Sequence, residues 1–177
     1  YGETLTMPQI VLPSNNACMR LPGTDGKAKM SKSLGNCIYL SDTSKDVAKK
    51  VKGMYTDPLH LNISDPGHLE GNCPFIYLDA FCTDEKFKRH CSEFESLQDL
   101  KDRYCAGGVG DGTVKKILIS VLEDELAPIR ERRKQWEQDI PGVFEILRRG
   151  SEEARAVARL LPMCAVQCES TTSTILS

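Results

Sequence analysis

The sequence predicts a mainly α protein: a short mixed segment over residues 1–40, a helical bundle over 41–168 and a polar tail, expected to fray, over 169–177. Three observations predict it. Val114, Ile117, Leu118, Val121, Leu122, Leu126 and Ile129 recur at intervals of three and four, the stripe of an amphipathic helix. Helix-start signals recur after residue 41, with Thr43 and Asp46 in capping-box spacing, Thr83 before a charged segment, and Ser151. Glycine and proline divide the apolar segments at helical lengths, at Pro58, Pro74, Gly107-Gly108 and Gly150.

In chain order, Thr4 to Leu12 carries Pro8 and reads as an extended connector. A turn over 13–16 leads to a basic glycine loop, Leu21 to Asn36. Cys37 to Leu40 reads as a strand or an extended segment on a sheet edge. A helix then starts at Thr43, buries Val47, Val51 and Met54 with Tyr55, and stops before Pro58. After an irregular stretch, Pro74 opens a helix with Phe75, Leu78 and Phe81 on its apolar side. Phe87, Cys91 and Phe94 continue the helical spacing, and Leu97 to Cys105 forms a further helix ending at Gly107. The long striped helix follows, with Pro128 expected to kink or break it. Breaks at Ile140–Gly142 and Gly150 then separate a short helix from a last one, and Trp136 reads as a packing anchor.

The composition excludes several function classes. A net charge of −2 confines any nucleic-acid contact to a local patch. No apolar run is long enough to cross a bilayer and no signal-peptide pattern is present, so a soluble cytoplasmic protein is expected. The eight cysteines include no CxxC pair and His60, His68 and His90 do not complete a ligand set, so free, packed thiols are expected rather than a metal site.

The chemistry concentrates in LPGTDGKAKMSKSLGN. It gathers Lys27, Lys29 and Lys32 with Ser31, Ser33 and three glycines into sixteen residues. Three ammonium groups this close repel one another unless an anion sits among them, so the loop reads as one built to close on a polyphosphate. Arg130 to Lys134 and Lys45, Lys49, Lys50 and Lys52 each read equally as a solvated helix face or a phosphate-contacting patch.

Lys29-Met30-Ser31-Lys32-Ser33 resembles the KMSKS signature of class I aminoacyl-tRNA synthetases, and its flanks resemble the tryptophanyl/tyrosyl branch. MYTDP at 54–58, DPG at 65–67, EGN at 70–72, YLDAF at 77–81, GGVGD at 107–111 and APIRERR at 127–133 follow in the order seen in tryptophanyl-tRNA synthetases. The resemblance runs from Tyr1 to about Leu160. It implies the end of a Rossmann-type catalytic domain over 1–40 and a helical anticodon-binding domain over 41–168. It also implies ATP and Mg²⁺ as cofactors, L-tryptophan and its tRNA as partners, and a homodimer. Lys29 and Lys32 are then the catalytic cations, with Met30, Ser31 and Ser33 completing the nucleotide contact. No G-x-G-x-x-G and no HIGH-like tetrapeptide precede the loop, which implies a C-terminal portion, inactive alone. An inert tRNA-binding module and a tyrosyl relative are the alternatives.

Overall fold

The computed structural model describes residues 7–15 and 20–175, with side chains through 159. Two compact units are present, Leu12–Glu131 and Tyr1–Val11 with Arg132–Ser177. The division expected at 40/41 thus lies inside the larger unit. The described residues form six helices and no strand beyond an isolated antiparallel bridge between Pro22 and Lys29. Residues 37–39 form no helix, turn or strand.

In the larger unit, α1 (Ser44–Lys52) starts as expected. Thr43 Oγ1 accepts from the Asp46 N–H, while the Asp46 carboxylate accepts from Thr43, a complete capping box. Val47 and Val51 are buried, but Gly53 ends the helix, so Met54 and Tyr55 lie beyond it. Lys115 completes that end by donating to the carbonyls of Lys52 (3.0 Å) and Met54 (2.8 Å). Its burial pushes the ammonium pKa down.

α2 (Cys73–Phe81) takes Pro74 into its first turn. Cys73, Pro74, Phe75, Tyr77 and Leu78 are all buried, so α2 is apolar around most of its circumference and forms the centre of the unit. α3 (Asp84–His90) is capped by Thr83 and buries Phe87; Phe94, expected on the same helix, is buried from the loop beyond it. α4 (Leu97–Ala106) ends at Gly107, whose φ of +84° suits glycine. The expected stripe is buried along α5 (Asp111–Glu137) through Leu126, with Ile129 packed at its edge.

α5 runs through Pro128 without interruption. Proline there removes one intrahelical donor, and tertiary contacts on either side hold the helix. Arg130 pairs with Glu123 and donates to the Asp42 carbonyl (3.3 Å). Glu123 accepts from Ser44 at the start of α1, Asp124 from Arg89 and the His90 ring, and Glu125 from Lys86. The acidic run 123–125 therefore ties α1 and α3 to α5.

In the other unit, α6 (Ile140–Ile175) is a single helix and is longer than α5. The expected break at 140–142 is its start: Asp139 Oδ1 accepts the Gly142 N–H (3.0 Å), and Pro141 occupies the first turn. Gly150 does not end it. Arg148 pairs with Glu145 and Glu152, and Arg149 with Glu153, spanning the weak point. The tail expected to fray is helical through Ile175. Trp136 is 50% exposed, so it does not anchor packing.

Cys37, Cys73 and Cys91 are buried free thiols, as expected, while Cys82 is half-buried and Cys105 exposed. The Cys18, Cys164 and Cys168 side chains lie outside the described residues. Burial pushes the Cys82 thiol up to about 11.

The ties to α5 give an acid-limb prediction. The hydrogen bond from the His90 ring, with Arg89 adding charge, holds Asp124 below its ordinary value of 3.8. A carboxyl depressed in the folded state stabilises it above the unfolded value, and the contribution is lost as pH falls through the folded one. Urea midpoints are expected to drop on acidification below about pH 4, and Asp124→Asn to show a smaller drop over that window. An identical acid limb in wild type and variant would count against this.

Candidate functional site

The glycine loop is anchored at its base and exposed at its tip. Tyr77 Oη donates to the Pro22 carbonyl (2.6 Å) and Cys73 Sγ to the Gly23 carbonyl (3.6 Å), so α2 holds the start of the loop. The Tyr55 N–H donates to the Thr24 carbonyl (2.9 Å), and the Thr24 N–H to the Asn36 carbonyl (3.0 Å). Gly26, at φ +70°, lies against the Tyr55 ring; a Cβ there would sit 2.6 Å from a ring carbon.

Lys27, Lys29, Lys32 and Ser33 are exposed, and Ser31 is half-buried. Among the described residues the three ammonium groups have no hydrogen-bond or ion-pair partner. They are free to move onto an anion without breaking an existing contact. Ser31 and Ser33 hydroxyls bond each other at 2.9 Å. The Leu34 and Gly35 N–H groups close a turn onto the Ser31 and Lys32 carbonyls, with Gly35 at φ +66°. Met30 is half-buried and lines an apolar cavity of about 230 Å³ with Leu21, Tyr77, Phe81 and Leu126.

Sequence reasoning missed two residues at the centre of the loop. Asn36 is 4% exposed, and its side chain reaches Ser31, Asp25 and the Lys29 carbonyl. Asp25 accepts from Asn36 (3.1 Å) and from the Lys27 N–H (3.3 Å), and the Asn36 bond holds its carboxyl below the usual range. The Asp25-Gly26 dipeptide signals a turn, but nothing local signals the partner eleven residues on.

The two basic stretches fare differently. Arg130 and Arg133 are paired with Glu123 and Glu137, so the 130–134 run is largely neutralised within its own helix. Lys50 pairs with Asp42 and lies over the Tyr39 ring, 4.3 Å from its centroid. Lys45 and Lys52 on α1, with Lys116 on α5, are exposed and have no side-chain partner among the described residues. Lys52, Lys115 and Lys116 line one cavity of about 300 Å³.

The sequence pattern of the family described as tRNA synthetases class I (W and Y) matches residues 3–127. The chain belongs to that family. It is 52% identical over 159 residues to the tryptophan–tRNA ligase of Clostridium longisporum, covering 89% of this chain and 44% of that protein. It is 49% identical over 158 residues to that of Streptococcus pyogenes serotype M3. The chain thus spans less than half the length of these relatives. Tryptophanyl-tRNA synthetase from Campylobacter jejuni superposes with a TM-score of 0.63 at 28% identity, over 78% of this chain and 41% of that one. The same enzyme complexed with ADP and tryptophan gives 0.65 at 27% identity, over 80% and 40%. The matched residues of this class I synthetase chain include the whole anchored loop.

Among the described residues no three His, Cys, Asp or Glu side chains are placed to hold a metal. Asp25, the carboxylate within the loop, is engaged by Asn36. A Mg²⁺ ion therefore finds no cage in these residues.

Proposed function

We propose that these residues serve a tryptophan–tRNA ligase as its mobile phosphate loop and tRNA-contacting helices. The observation that carries this reading is the loop itself: three unpartnered ammonium groups on an exposed tip whose base is anchored to α2, in a chain half identical to tryptophan–tRNA ligases. In amino-acid activation a tryptophan carboxylate oxygen bonds to the α-phosphorus of ATP. The bond from that phosphorus to the bridging oxygen breaks, and its electron pair leaves with pyrophosphate. Negative charge grows on the leaving group, and cations aimed there favour the transition state over the ground state. Lys29 and Lys32 supply that charge, and Ser31 and Ser33 donate to phosphate oxygens. The apolar Met30 side chain, packed against the core, leaves the loop's backbone for contact with the nucleotide. Mg²⁺ would travel with the nucleotide phosphates, which suits its preference for phosphate and water ligands.

Lys45, Lys52 and Lys116 are the cations best placed for tRNA phosphates, better than the neutralised 130–134 run. The enzyme would work in the cytoplasm as a homodimer, its catalytic domain ending near residue 40 and its anticodon-binding domain covering 41–168. Tryptophan-dependent pyrophosphate exchange by the complete enzyme tests the assignment. Exchange is expected with tryptophan and not tyrosine, and tyrosine-dependent exchange would move the chain to the tyrosyl branch.

A second reading rests on the chain's spanning 44% of its relatives: residues 1–177 alone bind tRNA and catalyse nothing. Residues 1–177 are expected to give no exchange and to bind tRNA with an affinity that falls steeply between 50 and 200 mM salt, roughly in proportion to the phosphates neutralised. Exchange from residues 1–177 alone would overturn it.

A further inference from the structure

We propose that Asn36 is a positioning residue that sets where Lys29 and Lys32 stand. This rests on the role given to those lysines above. Asn36 is one of three buried polar or charged residues in the described structure, although its neighbours 32–35 are all exposed. Its Oδ1 accepts the Ser31 N–H at 2.8 Å. Its Nδ2 donates to Asp25 Oδ1 at 3.1 Å and to the Lys29 carbonyl at 3.4 Å. One carboxamide thus grips the peptide on both sides of Met30, immediately before Lys32.

The chemistry of the partners fixes the amide's orientation. A backbone N–H only donates and a carboxylate only accepts, so a flipped amide would lose both bonds. The space around it is fixed too. A Cβ on Gly23 would lie 2.1 Å from Asn36 Nδ2 and 2.5 Å from Cγ, so the carboxamide in this place requires glycine at 23. Aspartate at 36 would lack the donor and set two carboxylates about 3 Å apart. Alanine would leave the Ser31 N–H and Asp25 without their partner. The lysine side chains, with no contacts of their own, point from whatever backbone this carboxamide defines. Displacing a catalytic group by about 1 Å costs on the order of 10²-fold in rate.

The experiment compares four variants in tryptophan-dependent pyrophosphate exchange by the complete enzyme. Lys32→Ala reports on the parent assignment; if it retains full activity, that assignment fails whatever the others do. Asn36→Ala is expected to lower kcat by about 10–100-fold with KM for tryptophan unchanged. Asn36→Asp is expected to lose more at neutral pH, and its activity relative to wild type to rise as pH falls, because a protonated carboxyl at 36 can again donate to Asp25. The double variant Asp25→Asn/Asn36→Asp exchanges donor and acceptor and is expected to exceed Asn36→Asp at neutral pH.

A second measurement, on residues 1–177, separates positioning from folding. Asn36→Ala is expected to keep the dispersed amide spectrum of a folded protein while the Asp25 carboxyl titrates closer to its ordinary value. Wild-type kcat in Asn36→Ala, alongside a disabled Lys32→Ala, would overturn the proposal. So would a double variant no better than Asn36→Asp, or variants whose activity losses simply follow global unfolding.

Discussion

Lys32→Ala is expected to slow adenylate formation by about 10²–10³-fold, the loss seen when one preorganised donor is removed from a developing negative charge. The loop's geometry says why the effect should be that large. Lys32 begins the turn that Gly35 closes, and its ammonium has no protein partner among the described residues to stand in its place. Lys27 and Lys29 stay on the same exposed tip, so the loop remains cationic and ground-state attraction to ATP largely persists. The missing contribution is the one that grows with charge on the leaving pyrophosphate. The loss should therefore fall mainly in kcat, with KM for ATP changed less. Lys32→Arg keeps the charge on a longer, planar head and is expected to recover part of the activity. Stopped-flow measurement of adenylate formation by the complete enzyme decides the matter, and a wild-type rate in Lys32→Ala would remove Lys32 from the mechanism.

The loop was legible in the sequence because its chemistry is local. Three lysines and two serines between glycines read as a loop that would close on an anion, and the structure adds that the lysines stand exposed at its tip. The buried stripe of α5 and the Thr43 capping box were legible for the same reason, since helical periodicity and cap spacing are written in adjacent residues. What escaped depends on contacts across the chain. Asn36 looks like an ordinary turn residue until Asp25 is folded back onto it. Glu123, Asp124 and Glu125 look like neutralisers of the arginines after them, yet two of the three reach α3. Lys115 looks like a solvated lysine in the groove between apolar positions, but it completes the end of α1. Glycine and proline signals misled where neighbouring contacts outweighed them. Ion pairs span Gly150, and contacts of Glu123 and Arg130 with the start of α1 flank Pro128, so neither residue ends its helix.

Tyr104→Ala is expected to cost about 3–5 kcal/mol of stability, the range for emptying a large buried ring site. Tyr104 is fully buried. Its ring meets Phe75 edge-on at 4.8 Å and His60 at 4.6 Å. Its hydroxyl donates to Asp111 Oδ1 (2.8 Å) and accepts from Asn72 Nδ2 (3.1 Å). Burial, with Asp111 as acceptor, pushes the phenol above its usual range, so it remains a donor at any working pH. Tyr104→Phe keeps the ring and removes only these bonds, for about 1–3 kcal/mol. Gly67 separates the packing contribution from the polar one. A Cβ at Gly67 would lie 2.2 Å from Tyr104 Cε1, so Gly67→Ala should destabilise wild type by about 1–3 kcal/mol through overpacking. In the Tyr104→Ala background the same methyl enters the vacated space, and its cost should largely vanish, a coupling that urea midpoints of the four proteins measure directly. Additive losses would mean that the ring and Gly67 do not share the space. The consequence reaches the loop, because Asp111 opens α5, Phe75 lies in α2, and α2 holds Pro22 and Gly23 through Tyr77 and Cys73. Loosening Tyr104 should therefore release the base from which Lys29 and Lys32 project.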